Sequence, residues 1–142
     1  IDYFKNIEKL NSIDDELEFK KQANFAVCCS AMFANAAAIV AVSKDGVTPS
    51  LLSSFRPGCP IYAITSDTKT YKQMAVENNV TAILIENTED YDTLLEKGIE
   101  ELKSRGLVKA NDTVVLSGGI SKEDNSSKKF LSNQSTGTIV RI

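Results

Sequence analysis

The stretch Ala38-Ile39-Val40-Ala41-Val42-Ser43-Lys44-Asp45-Gly46-Val47-Thr48 decides the fold. Its first five residues are apolar without alternation, which predicts a strand buried on both faces, the kind found in parallel sheets covered by helices. The run breaks into Ser, Lys, Asp and Gly. Thr48-Pro49 then reads as an N-cap followed by proline at the first helical position, opening a short helix through Leu51, Leu52 and Phe55 that stops at Arg56-Pro57-Gly58. Strand, polar turn and helix form one unit.

Outward from this unit the pattern repeats. Pro60 to Thr65, Val80 to Ile85 and Thr113 to Ser117 are further continuous apolar strands, and Gly137 to Ile142 is a fifth that closes the chain. Asp67 caps a predicted helix from Thr68 to about Asn78. Another helix, Glu89 to Arg105, carries Tyr91, Leu94, Leu95, Ile99 and Leu102 on one stripe, has an acidic first turn and ends at Gly106. Upstream, a Ser12 cap and the acidic turn Asp14-Asp15-Glu16 predict a helix running to about Ala37. From Ala23 onward that helix is nearly all small or apolar, so it is expected to be covered on more than one face. Alternating strands and helices predict a single α/β domain of three layers, α/β/α, around a mostly parallel sheet with right-handed crossovers. The one long irregular stretch is Gly118 to Gln134, polar and rich in Ser and Lys.

Composition removes whole classes of chemistry. The 142 residues include 16 Lys plus Arg, 19 Asp plus Glu and no histidine, for a formal net charge of −3. Without an imidazole, Ser-His-Asp hydrolysis, Cys-His proteolysis, HExxH metalloproteolysis and most zinc sites cannot be built. No basic footprint for nucleic acid or anionic lipid is present. No apolar run reaches the roughly 20 residues of a membrane span, and a soluble, cytoplasmic protein is expected. Cys28, Cys29 and Cys59 fit neither a disulfide framework nor a CxxC motif, and are expected as reduced, buried small hydrophobes.

In an open α/β sheet a ligand lies at the carboxyl ends of the strands, where strand order reverses. Two loops are placed to meet an anion there. Ser43, Lys44, Asp45, Gly46, Val47 and Thr48 offer backbone N–H groups, hydroxyls and a lysine at a helix start. The second loop is Ser117-Gly118-Gly119-Ile120-Ser121 with Lys122. Neither is a GxGxxG or a GxxxxGK[ST] sequence, so a tight turn capped by Thr48 is an equally open reading of the first. Asp45 also argues against phosphate, because a carboxylate within an anion cradle repels what the cradle attracts. No catalytic residue and no metal-ligand set is assigned.

With these residues in view, the sequence resembles a known family. Ala38 to Thr48, followed by Leu51-Leu52-Ser53-Ser54-Phe55-Arg56-Pro57 and Pro60-Ile61-Tyr62-Ala63-Ile64-Thr65, is similar to the C-terminal domain of pyruvate kinase. There the pattern is a buried strand, Thr-x-Ser-Gly-x-Thr/Ser-Ala-Arg, a short helix, Phe/Tyr-Arg-Pro, then Pro-Ile-x-Ala-x-Thr. Gly106-Leu107-Val108-Lys109 before Asn111 to Gly119 resembles a further family segment, Thr136 to Ile142 resembles its final strand, and Ile1-Asp2-Tyr3-Phe4 resembles the segment leaving the catalytic barrel.

The resemblance implies a five-stranded mixed sheet in order 3-2-1-4-5 with the last strand antiparallel, as in the pyruvate kinase C-terminal domain. It also implies a regulatory and oligomerisation role in an enzyme that transfers a phosphoryl group from phosphoenolpyruvate to ADP, in glycolysis. The catalytic (β/α)8 barrel, with its magnesium and potassium, is not in these residues, so the chain alone is expected to be no enzyme and to hold no cofactor. In many family members the domain binds a sugar phosphate such as fructose 1,6-bisphosphate, and the phosphate loop maps onto Ser43 to Thr48, beside Gly118 and Gly119. Partners implied are the catalytic domain and further copies of the chain.

This sequence departs from the family where effector chemistry would lie. Asp45 stands where a hydroxyl is usual, Ser50 where Arg is common and Thr138 where Asn is frequent, and the loop after Gly119 is longer. Lys122, Lys128 and Lys129 are available to compensate, or are a solvated surface. Two main readings follow: a pyruvate kinase regulatory domain, or a stand-alone binding or self-association module derived from it with an altered or lost effector site. An independent small enzyme would need an acid/base pair, for which Asp45 and Lys44 are the sole candidates beside the crevice. Self-association is expected through the terminal strand, an edge with unpaired N–H and C=O groups.

Overall fold

The computed structural model describes residues 15–77, 79–88, 90–118 and 136–142. The Ser12 cap, the Ile1 to Phe4 segment, Glu89, Gly119 and the loop that follows it to Gln134, with Lys122, Lys128 and Lys129, lie outside the described residues.

Strand β1 (Ala38–Val42) is buried at every position, as its unbroken apolar run requires. It lies mid-sheet between β2 (Ile61–Thr65) and β4 (Thr113–Gly118), with β3 (Val80–Leu84) outside β2 and β5 (Thr136–Arg141) outside β4. The order β3-β2-β1-β4-β5 is the expected 3-2-1-4-5. Three pairings are parallel, and β4 with β5 is antiparallel, again as expected. Pro60, placed in a strand by its sequence, falls just outside β2. Its carbonyl still accepts from the Ile39 N–H at 3.0 Å, but proline has no N–H to return.

The helices cover both faces. Helix α1 (Asp15–Phe33), α2 (Val47–Ser54) and α3 (Thr68–Met74) lie on one side, where Val27, Cys28, Ala31, Leu52 and Met74 pack with Ile39, Ala41, Ile61, Ala63 and Val115. On the other side α4 (Tyr91–Ser104) sets Leu94 and Leu102 against Val40, Val42, Ile64, Ile83 and Val114. Successive strand residues project to opposite faces, so one apolar run supplies both cores.

Helix boundaries differ from those expected in every helix. Helix α1 ends at Phe33 rather than near Ala37 because Asn35 adopts a left-handed φ of 50°. The Asn35 N–H donates to the Met32 carbonyl at 3.2 Å and the Ala36 N–H to the Ala31 carbonyl at 2.9 Å, the paired bonds of a Schellman stop. In α2 the N-cap is Gly46, at φ 81°, and not Thr48, which lies within the helix. Helix α3 ends at Met74, short of Asn78. Two caps act as their residue types predict. Asp67 accepts from the N–H groups of Lys69 and Thr70, and Asp90, which the sequence placed inside the helix, caps α4 by accepting from Thr93.

The expected cover of α1 on more than one face is not found among the described residues. Its sheet-facing side is buried, whereas Phe19, Phe25, Met32 and Phe33 are exposed. All three cysteines are free thiols, but of the three expected to be buried only Cys28 is; Cys29 and Cys59 are partly exposed.

Candidate functional site

Strand order turns back between β1 and β4, because β1 is followed across the sheet by β2 on one side and β4 on the other. The register pairs Val42 with Gly118 at the carboxyl ends of these two strands. The loop from Ser43 to Thr48 therefore starts beside Gly118, as the sequence suggested, while Gly119 lies outside the described residues. This is the crevice position at which open α/β sheets hold ligands.

The first loop is closed on itself. Ser43 is buried, and its N–H donates to the Ile64 carbonyl at 3.0 Å, prolonging the pairing of β1 with β2 by one step. Its hydroxyl accepts from the Gly46 N–H at 2.9 Å and donates to Asp45 Oδ1 at 3.3 Å. The same Oδ1 accepts from the Val47 N–H at 3.0 Å. Two backbone donors at the start of α2 are thus engaged by side chains of the loop, which is why Thr48 is not needed as a cap. The Lys44 carbonyl accepts from Thr70 Oγ1 at 2.6 Å and ties the loop to α3, leaving the lysine side chain exposed. Gly46 is required by its positive φ, which would strain any other residue there.

Chemically, the loop presents a carboxylate where an anion would sit. An incoming phosphate would have to displace Asp45 from the Val47 N–H and would then face it as a like charge. At this exposed position that repulsion is worth on the order of 1 kcal/mol per unit charge. Ser50 and Thr138 are both exposed. Neither supplies positive charge. Among the described residues no group of three or more His, Cys, Asp or Glu could hold a metal ion, and no helix is long and apolar enough to cross a membrane.

Two buried polar side chains near the sheet lack a full set of hydrogen bonds among the described residues. Ser117, one step before Gly118, is 1% exposed and its hydroxyl has no hydrogen-bond partner among the described residues. Asn24, fully buried on α1, donates from Nδ2 to the Lys20 carbonyl at 2.8 Å, while its Oδ1 has no partner among the described residues. Asn24 sits in a helix interior, where its residue type gives no sign of burial; Ser117 was legible only as the start of the second loop.

A mostly parallel sheet in the order β3-β2-β1-β4-β5 with an antiparallel last strand, covered by helices on both faces and carrying a Ser/Gly/Thr loop at its switch point, defines an open three-layer α/β domain. The family model for the pyruvate kinase alpha/beta domain matches residues 23–131, and the chain belongs to that family. Among relatives, pyruvate kinase of Eimeria tenella is 33% identical over 89 residues, covering 63% of this chain and 17% of the relative. Pyruvate kinase of Leishmania mexicana is 28% identical over 123 residues, covering 80% of this chain and 23% of the relative. Chloroplastic pyruvate kinase isozyme A of Ricinus communis is 33% identical over 78 residues, covering 55% and 13%. The chain thus spans less than a quarter of the length of these relatives.

Proposed function

We propose that this chain is the non-catalytic regulatory and oligomerisation domain of a pyruvate kinase, with an effector loop closed by its own carboxylate. The parent activity, phosphoryl transfer from phosphoenolpyruvate to ADP with magnesium and potassium, belongs to a barrel that these residues do not include. The family's sugar-phosphate loop corresponds to Ser43 to Thr48, and one observation carries the reading of its state: Asp45 Oδ1 accepts from both the Val47 N–H and the Ser43 hydroxyl. The donors that would cradle a phosphate are already occupied, and the group occupying them is an anion. The domain therefore keeps the family's frame and its assembly role while responding weakly or not at all to fructose 1,6-bisphosphate.

Calorimetry of the 142-residue chain with fructose 1,6-bisphosphate tests this directly. The expected result is no binding in the micromolar range for the wild type and measurable binding for Asp45→Ser, which restores the hydroxyl and removes the charge. Lys44→Glu in the Asp45→Ser background should abolish it. Micromolar or tighter binding to the wild-type chain would refute the closed loop.

A further inference from the structure

Beneath α1 the sheet is apolar until its carboxyl end. Val115 on β4 and its register partner Ile39 on β1 belong to the core that α1 closes with Val27, Cys28 and Ala31. Residues two apart on a strand share a face, so Ser117 follows Val115 toward α1. Its register partners are Ala41 on β1 and Gly137 on β5, residue types that fill little space. Ser117 is buried, and its hydroxyl has no partner among the described residues.

Asn24 stands opposite this row. The Ala37 N–H donates to the Thr113 carbonyl at 2.8 Å, which sets the end of α1 at the start of β4. Because α1 packs over β1, β4 and β5, it runs antiparallel to β4. Going back from Phe33, the last residue of α1, to Asn24 is a rise of about 14 Å, and going along β4 from Thr113 to Ser117 is about 13 Å. Both residues therefore lie at one height. In projection, at about 100° per residue, Asn24 falls between Val27 and Cys28, at the centre of the buried side of the helix.

The two side chains complement each other without bonding directly. Asn24 Nδ2 donates to the Lys20 carbonyl, which fixes the amide so that Oδ1, an acceptor, is the atom left over. Ser117 Oγ can both donate and accept. Each of these buried atoms carries a desolvation cost until something meets it, and neither meets the other. The charge and number of the donors select the occupant. A hard cation takes about six oxygens, whereas two neutral side-chain oxygens converge here and the strand carbonyls are spent on the sheet ladder. An anion would face the Oδ1 lone pairs. A water molecule suits both atoms, donating to Asn24 Oδ1 and donating to or accepting from Ser117 Oγ.

We propose that Asn24 Oδ1 and Ser117 Oγ together hold one buried water molecule between α1 and the carboxyl end of β4, an internal site that pins the helix at this height over the sheet. Ser117 is one residue from Gly118, so the site lies beneath the switch point. It does not depend on what the Ser43 to Thr48 loop binds.

A crystal structure of the 142-residue chain tests this without any substitution, and one ordered water is expected within about 3.2 Å of both atoms. In solution, water ¹⁷O relaxation dispersion counts long-lived internal waters. The Asn24→Leu/Ser117→Ala variant should hold one fewer than the wild type while keeping its circular dichroism spectrum. An unchanged count in the folded variant overturns the proposal. So does a crystal structure in which Ser117 Oγ bonds Asn24 Oδ1 directly, in which the space between them is dry, or in which a side chain from the segment after Gly118 reaches them.

Discussion

Gly98 of α4 lies directly against Ile64 of β2: a methyl group built on Gly98 would come within 3.0 Å of three carbon atoms of the Ile64 side chain. The helix and the sheet approach as closely as they do because this position has no side chain. Ile64 is fully buried and cannot move aside into solvent.

Gly98→Ala should therefore destabilise the chain, although alanine favours helix. Overpacking costs typically about 1–3 kcal/mol and the gain in helix propensity returns about 1; with the Ile64 Cδ1 contact far inside van der Waals distance the cost falls in the upper part of that range, so a net loss of up to about 2 kcal/mol is expected in urea unfolding. Adding Ile64→Val removes the Cδ1 methyl that the new Cβ meets, so the double variant should lose less than the sum of the single losses. A Gly98→Ala chain more stable than wild type would contradict this packing.

Much of the fold was legible because burial on both faces leaves an unambiguous trace. Ala38 to Val42 has no polar position, and the structure returns the strand with the same limits. The other strands shift by a residue at most, since their ends rest on single hydrogen bonds such as that of Pro60. Helix ends were harder. The signal that stops α1 is Asn35, but it lies inside a run of alanines whose helix propensity hides it. Thr48-Pro49 looked like a cap because the sequence alone does not show that Asp45 and Ser43 already serve the donors ahead of it. Gly98 carries no local signal at all, because its reason is a contact with a strand more than thirty positions away. The place of the Ser43 to Thr48 loop beside Gly118 was readable from topology; the hydrogen bonds that Asp45 makes within it were not.

The cap of α4 predicts a pH dependence. Asp90 accepts from the Thr93 hydroxyl at 2.7 Å and from the Thr93 N–H at 3.1 Å, and these bonds hold its carboxyl below the ordinary value of 3.8. A carboxyl lowered in the folded state contributes stability above its unfolded value, and that contribution is lost as pH falls through the folded one. Thermal unfolding followed between neutral pH and about pH 3 should show a shallower acid limb in Asp90→Asn than in the wild type. Identical limbs would mean that Asp90 does not couple to folding.

Cys28 predicts the opposite dependence at high pH. Burial first, and the neighbouring thiols of Cys59 and Cys29 second, push its thiol from 9.0 up to about 11. The unfolded chain releases this proton first, so stability should fall as pH rises from 9.0 toward about 11, and Cys28→Ala should flatten that slope. Mass spectrometry after native alkylation near neutral pH should find Cys29 and Cys59 labelled well before Cys28, which is protected both by burial and by its protonated state. Early labelling of Cys28 would contradict its place in the core.

The account turns on whether the Ser43 to Thr48 loop is occupied by Asp45, and the backbone amides of Gly46 and Val47 report on that without an intermediary. A ¹H–¹⁵N titration with fructose 1,6-bisphosphate, read at those two amides in the wild type and in Asp45→Ser, is the most direct measurement. The closed loop predicts wild-type resonances unmoved up to about 1 mM ligand, with saturable shifts in Asp45→Ser. Saturable shifts of Gly46 and Val47 in the wild type at micromolar ligand would contradict it.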